Sequence, residues 1–287
     1  MTSYTDTEIA SQPELWRRAA ELGPASALPR KGERVAVVGC GTSWFVAQSY
    51  AAYRELAGAG ETDAFAASEW PAGRRYDRVL AISRSGTTTE IVDLLASTPN
   101  TSLITAVPDA PAAALASDVV SLDFADERSV VQTRFPTTVL CLLRAHLGED
   151  LEGAIEDCVR VLEEPLPEFN ATQFTFLGRG PSVGLAHEAA LKLRETSQSW
   201  AESYPAMEYR HGPISIADAR TLVWMLGAAP KGLGDQVAAT GARWADFGGD
   251  PLADLVRLQR VAVALARSRG LDPDAPRNLT RSVVLSA

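Results

Sequence analysis

The chain has 287 residues, of which 46% are hydrophobic and 22% are charged, a composition typical of a globular protein with a substantial core. The formal net charge of −9 and the lack of a basic run argue against a nucleic-acid-binding protein. No apolar stretch approaches the ~20 residues of a membrane-spanning helix, and the first residues lack the basic flank and apolar core of a signal peptide. The three widely spaced cysteines, Cys40, Cys141 and Cys158, form neither a disulfide framework nor a zinc-ligand pattern, so we expect a cytoplasmic protein without a bound metal.

An N-terminal helix over residues 7–22 is predicted to precede a regular alternation of strands and helices. The predicted strands are 34–40, 77–83, 102–108 and 118–124, and the predicted helices are 43–56, 88–98, 133–148 and 150–164. Strands that alternate with helices at such spacings predict a mostly parallel sheet covered by helices on both faces.

The pattern restarts after a linker over residues 165–170. The stretch "TFLGRGPSVGLAHEAALKLRE" (175–195) is a strand, a glycine turn and a helix, as is "AVVGCGTSWFVAQSYAAYRE" in the first half. A strand over 221–228, a short strand within 242–248 and a final helix over 251–270 follow. We therefore expect an α/β protein of two lobes, with an N-terminal helical segment (1–30), a first lobe (31–164), a second, shorter lobe (165–270) and a C-terminal tail (271–287).

Two turns rich in hydroxyl groups follow predicted strands, "GCGTSW" at 39–44 and "SRSGTTTE" at 83–90. In an open parallel sheet both turns lie on the rim where ligands bind. Helix capping needs one Ser or Thr at the N-cap, and a helix N-terminus is also an anion site. Neither turn is a dinucleotide fingerprint or a P-loop. From the residues alone, phosphate binding and simple helix capping both remain open.

The motifs in their order along the chain resemble the sugar isomerase (SIS) family, and within it the double-SIS proteins related to the isomerase half of glucosamine-6-phosphate synthase. The matching segments are "EIASQPELW", "GCGTSW", "SRSGTTTE", "ERSVVQTR", "FLGRG" with "HEAALKLRETS", "AESYPAMEYRHGP" and "DAPRNLTRSV". The resemblance implies two flavodoxin-like lobes, a phosphosugar substrate and a C-terminal tail that closes the active site.

The resemblance also implies which residues bind the substrate. Thr42, Ser43, Ser83, Ser85 and Thr88 would hold the sugar phosphate, Val130 and Gln132 would contact the sugar, and Glu188 would lie in the active-site region. Arg84, between the two serines, could add positive charge, but we expect it to point to solvent.

The implied catalytic residues come from the second half of the chain. Glu195 matches the base that moves a proton between C1 and C2, although without the resemblance it is an ordinary helical glutamate paired with Lys192 or Arg194. Lys192 would be an electrostatic helper on the same helix face. His211 matches a ring-opening histidine whose loop enters the neighbouring subunit's site, which implies a homodimer with composite active sites.

Arg281 stands at the family's Schiff-base lysine position. An arginine stays protonated and does not readily form an imine, but it could bind the open-chain oxygen as a cation.

We therefore expect a cofactor-independent phosphosugar isomerase or amino-sugar-phosphate deaminase, acting on a substrate such as glucosamine 6-phosphate and lacking a glutaminase domain. The alternative is a non-catalytic phosphosugar sensor, and a nucleotide-binding protein is a weaker one. Regulators with SIS domains carry an N-terminal helix-turn-helix domain, for which the roughly 30 residues before the first strand are too few.

Overall fold

The computed structural model describes residues 3–22, 26–167 and 171–285. The N-terminal region forms two helices, α1 (Tyr4–Ala10) and α2 (Gln12–Glu21), where the pattern predicted a single helix. Ser3 and Asp6 form a capping box at the start of α1. The helix breaks at Ser11 because Pro13, which lacks a backbone N–H, fits the first turn of a new helix and not the interior of a longer one.

The first lobe is a five-stranded parallel sheet with the order β2-β1-β3-β4-β5. Its strands are β1 (Val35–Gly39), β2 (Thr62–Ala66), β3 (Arg78–Ile82), β4 (Thr101–Thr105) and β5 (Asp118–Ser121), and its helices are α3 (Thr42–Leu56), α4 (Thr89–Ser97), α5 (Pro111–Leu115), α6 (Arg134–His146) and α7 (Glu152–Glu163). Every residue of β1 is buried, as expected of a central strand covered on both faces.

The second lobe repeats this topology with four parallel strands in the order β7-β6-β8-β9. Its strands are β6 (Gln173–Gly178), β7 (Trp200–Pro205), β8 (Thr221–Leu226) and β9 (Arg243–Asp246), and its helices are α8 (Ser182–Ser197), α9 (Leu233–Ala239) and α10 (Pro251–Ser268). The prediction of two flavodoxin-like lobes, the second one strand shorter, is confirmed. The pattern did not predict β2, β7, α5 or α9.

The two lobes pack through α3 and α8, where Gly184 allows the helices to approach closely. A Cβ atom at Gly184 would lie 2.3 Å from the carbonyl oxygen of Phe45 and 2.4 Å from Oγ of Ser49. A continuous cluster of buried apolar side chains runs from the first sheet to the second. The carboxyl ends of β1 and β6 therefore belong to one continuously packed structure.

None of the helices formed by residues 3–22, 26–167 and 171–285 combines the length and the apolar character that crossing a membrane requires.

Candidate active site

Glycines end the first strand of each lobe and let the following helix start close to the sheet. A Cβ atom at Gly39 would lie 2.5 Å from the carbonyl carbon of Ser43, and one at Gly178 would lie 2.1 Å from the carbonyl oxygen of Ser182. In the first lobe, Gly41 adopts φ +53° as the N-cap of α3, a conformation that favours glycine. Thr42 and Ser43 are thereby placed at the carboxyl end of β1.

The two hydroxyl-rich turns line one small cavity of about 30 Å³, which confirms the prediction that they open on the same rim. Ser43 comes from the first turn, and Ser83, Arg84, Ser85 and Thr88 come from the second. The cavity is also lined by Cys40, Ile82, Ile91, Gln132 and Arg281. Thr88 is the N-cap residue of α4, yet its side chain makes no capping hydrogen bond. Simple capping therefore does not account for its hydroxyl, which stands beside two helix N-termini that favour an anion.

The serines of the second turn are oriented by backbone N–H groups. Ser83 Oγ accepts a hydrogen bond from the N–H of Gly86 at 3.2 Å, and Ser85 Oγ accepts one from the N–H of Thr87 at 3.3 Å. A hydroxyl that accepts such a bond keeps its own proton for another acceptor. The turn thus presents two oriented hydroxyl donors to its cavity.

A second cavity of about 170 Å³ adjoins the first and brings both lobes and the tail together. It is lined by Cys40, Gly41, Thr42, Thr88, Val130, Gln132, Lys192, Glu195 and the tail residues 279–283. The structure therefore assembles ten of the twelve predicted site residues around the two cavities: Thr42, Ser43, Ser83, Ser85, Thr88, Val130, Gln132, Lys192, Glu195 and Arg281.

Glu188 joins this group through Lys192, because residues 188, 192 and 195 share one face of α8. Lys192 is 1% exposed, and its Nζ lies 3.5 Å from Oε1 of Glu188 and in direct contact with Oε2 of Glu195. Burial acts to lower the pKa of Lys192, but the two carboxyl groups outweigh burial and raise it. Lys192 is therefore a buried cation held between two acids.

The two acids have different environments. Glu188 is 1% exposed, and burial raises its pKa to about 8 against the opposing effect of Lys192. The side chain of Glu195 is 18% exposed and lines the larger cavity. Burial therefore favours the neutral form of the Glu188 carboxyl group, while the Glu195 carboxyl group contacts Lys192 at the wall of the larger cavity.

His211 does not line either cavity of its own chain. It is an exposed residue at the end of a 3-10 turn, Glu208–His211, in the second lobe. The neighbouring Arg210 donates to Oε1 of Gln236 at 2.6 Å and to the carbonyl of Lys231 at 2.8 Å, which ties this turn to α9. The role of His211 in a partner's site stays a prediction.

The expectation that Arg84 points to solvent is wrong. Arg84 is 2% exposed, and its Nη1 lies 3.7 Å from Oε2 of the fully buried Glu127. A buried carboxylate is costly unless a cation lies nearby, and Arg84 supplies that cation. Glu127 is not among the predicted site residues, although it is the first residue of the segment "ERSVVQTR".

Arg281 lines both cavities, and its guanidinium is held by a neighbouring segment of the chain. Nη1 of Arg281 donates to the carbonyl of Glu127, and Nη2 of Arg281 donates to Oδ1 of Asp126 at 2.5 Å. The cation is thus fixed at the boundary between the tail and the cavities.

Comparisons with known proteins agree with this architecture. No protein-family model matches the chain. Over 97% of its length the chain is 30% identical to glutamine–fructose-6-phosphate aminotransferase from Gloeobacter violaceus, and it spans 58% of that relative. It is also similar to the crystal structure of glucosamine-6-phosphate deaminase from Thermotoga maritima, with a TM-score of 0.81, 26% identity and coverage of 99% of this chain and 100% of that one.

The C-terminal domain of glucosamine-fructose-6-phosphate aminotransferase from Francisella tularensis shares the fold, with a TM-score of 0.77, 20% identity and coverage of 96% of this chain and 99% of that one. Sequence, topology and the two glycine turns agree with one another: the chain resembles the double-SIS proteins, in particular the isomerase half of these aminotransferases and the stand-alone phosphosugar enzymes.

Proposed function

We propose that the chain is an enzyme that moves a proton between C1 and C2 of an amino-sugar phosphate such as glucosamine 6-phosphate, as a deaminase or an aldose–ketose isomerase. The observation that carries the proposal is the acid–lysine–acid arrangement of Glu188, Lys192 and Glu195 beside two hydroxyl-rich turns. A phosphosugar sensor needs the turns but has no use for a carboxylate and a buried cation facing the sugar.

The phosphate of the substrate binds between the two turns in this proposal. Ser43, Ser83, Ser85 and Thr88 supply neutral hydroxyl donors, and α3 and α4 supply the free N–H groups of their first turns. Thr42 lines the adjoining cavity and extends this donor set toward the sugar. When the phosphate is anchored there, C1 and C2 of the sugar extend into the larger cavity, where Val130 and Gln132 form part of the wall.

Glu195 is the base in the proposed reaction. After ring opening, its carboxylate removes the proton from C2, and negative charge develops on the C1 oxygen. Lys192, and Arg281 at the tail, stabilise that charge. The C1 oxygen takes up the proton that leaves the 2-amino or 2-hydroxyl group, and Glu195 returns the proton it removed to C1. With a 2-amino group the product is a C2 imine, and the addition of one water releases ammonia and leaves the ketose phosphate. With a 2-hydroxyl group the same proton transfer gives the ketose directly.

The neutral carboxyl group of Glu188 has a supporting role. It lies beside Lys192 without adding a second negative charge near the substrate. We propose that it keeps the Lys192 ammonium in place for the developing oxyanion.

His211 opens the sugar ring in the proposed enzyme, from the neighbouring subunit of a homodimer. Its exposure, and its position outside the cavities of its own chain, support this arrangement. Mixing the His211→Ala and Glu195→Gln variants tests it, because a mixed dimer regains one intact site while each variant alone has none. Activity of the mixture no higher than that of either variant, or full activity from a monomer in light scattering, contradicts composite sites.

The experiment that tests the function is incubation of the protein with hexosamine 6-phosphates, measuring ammonia and ketose phosphate together. Equal amounts of both products identify a deaminase. Ketose phosphate from the corresponding hexose 6-phosphate, without ammonia from the amino sugar, identifies an isomerase. Saturable binding without turnover supports the sensor. The absence of both binding and turnover contradicts the proposal altogether.

A further inference from the structure

We infer that Arg84 is a positioning residue that latches the C-terminal tail over the substrate cavities. The inference extends the proposed function by naming what holds the site closed, and its main test does not depend on any reaction. It rests on the contacts that join the second hydroxyl-rich turn, the segment 126–130 and the tail.

The guanidinium of Arg84 bridges two separate segments of backbone. Its Nη1 donates to the carbonyl of Ser129 at 3.2 Å, and its Nη2 donates to the carbonyls of Val130 at 3.4 Å and Arg281 at 2.8 Å. Hydrogen bonds from a charged donor are stronger than those between neutral groups. The shortest of the three is the one to the tail.

A fixed counter-charge keeps Arg84 in this buried position. Oε2 of Glu127 lies 3.7 Å from Nη1 of Arg84, and Oε1 of Glu127 accepts hydrogen bonds from the N–H of Thr133, its hydroxyl and the N–H of Arg134. The carboxylate is thus anchored at the start of α6. Departure of Arg84 would leave the buried Glu127 without its neighbouring cation, which is unfavourable for the carboxylate.

The tail beyond this contact runs along the start of α4. Oγ of Ser282 lies 2.8 Å from Oγ1 of Thr87, the N–H of Thr89 donates to the carbonyl of Val283, and the N–H of Leu285 donates to Oγ1 of Thr89. Residues 282 to 285 are mostly exposed, whereas Arg84 is buried. The bond from Arg84 is therefore the interior anchor of a strip that is otherwise held at the surface.

The strip covers the rim at which a substrate must enter, because residues 279–283 line the larger cavity and Arg281 lines both. Opening this rim requires the bond from Arg84 to the carbonyl of Arg281 to break. Arg84 thus links the turn that would bind the phosphate to the segment that closes the site.

Trypsin cleavage after Arg281, followed by mass spectrometry, tests the latch directly. Arg84→Lys keeps the charge opposite Glu127, but one ammonium group cannot bridge the three carbonyls, so cleavage should accelerate about tenfold as a charge-assisted hydrogen bond is lost. Arg84→Met combined with Glu127→Gln removes both charges and should accelerate it at least as much. Arg54→Lys is the matched control, since Arg54 is also buried and donates to the carbonyls of Arg30, Glu33 and Gly60 away from the tail.

A kinetic measurement separates positioning from a general loss of structure. If substrate turnover is found, Arg84→Lys should lower kcat/KM, whereas Arg54→Lys, which changes a buried arginine away from the tail, should leave it nearly unchanged. Unchanged cleavage in both Arg84 variants, or equal acceleration in Arg54→Lys, overturns the latch. Failure to detect any turnover bears on the proposed function and leaves the cleavage result standing.

Discussion

Replacing Glu188 with glutamine should change how the stability of the protein depends on pH. In the folded chain, burial raises the pKa of Glu188 to about 8 from its ordinary value of 4.5. Between these two values the folded state holds a proton that the unfolded state releases, so the contribution of Glu188 to the free energy of unfolding falls as the pH rises. That contribution is complete below pH 4.5 and lost above pH 8.

The expected size follows from the pKa difference. One pKa unit corresponds to about 1.4 kcal/mol, so the wild type should lose about 2–3 kcal/mol relative to Glu188→Gln between pH 5.5 and 7.5. Urea unfolding of both proteins at the two pH values measures this change. Other buried acids, such as Asp254 with its pKa raised to about 7 by burial, are present in both proteins and cancel in the difference.

A control isolates burial from the mere loss of a charge. Glu163 is an exposed residue of α7, so Glu163→Gln removes one carboxylate from the surface and should leave the pH dependence of the wild type nearly unchanged. If the stability difference between the wild type and Glu188→Gln is the same at pH 5.5 and 7.5 within about 0.5 kcal/mol, Glu188 is ionised in the folded protein and its assignment as the neutral acid is wrong.

Two further changes test the phosphate turns and the contact between the lobes. Ser85→Ala should raise KM for a phosphosugar more than it lowers kcat, because the hydroxyl contributes to ground-state binding; the exposed Ser68→Ala is its control, and an effect confined to kcat contradicts the assignment. Gly184→Ala should lower the free energy of unfolding, measured in urea, by about 3 kcal/mol or more, since its Cβ would meet the backbone of α3. Gly153→Ala in α7, with open space around it, should raise the free energy of unfolding by roughly 0.5–1 kcal/mol. Equal effects of the two glycine substitutions would show that α3 and α8 do not pack as described.

The central strands were predictable from the sequence because they are buried on both faces. The segments that form β1, β3 and β8 are almost continuously apolar, and their burial in the structure is nearly complete. The edge strands β2 ("TDAFA") and β7 ("WAESYP") have a single neighbouring strand and are only partly buried, so they carry polar residues and no clear apolar run. Helices α5 and α9 have five and seven residues, too few for a helical pattern to emerge.

The positions of site residues were predictable where local backbone conformation determines them. They were not predictable where segments distant in the chain pack together. The glycine turns place Thr42, Ser43 and Thr88 by local backbone conformation alone. Arg84, by contrast, is buried because Glu127, 43 positions later in the chain, needs a cation. Hydropathy describes each residue by itself and does not reveal a charge pair formed by tertiary packing.

Proton exchange at the sugar tests the central claim, that Glu195 is a C1/C2 base, most directly. The wild-type protein, incubated with the hexosamine phosphate in D₂O, should leave deuterium at C1 or C2 of the recovered sugar phosphates. Glu195→Gln is nearly isosteric and should still bind the substrate, but its exchange rate should fall by about 10²–10⁴-fold, as is typical when a general base is lost. Wild-type exchange by Glu195→Gln would show that Glu195 is an ordinary helical partner of Lys192 and would contradict the proposed mechanism.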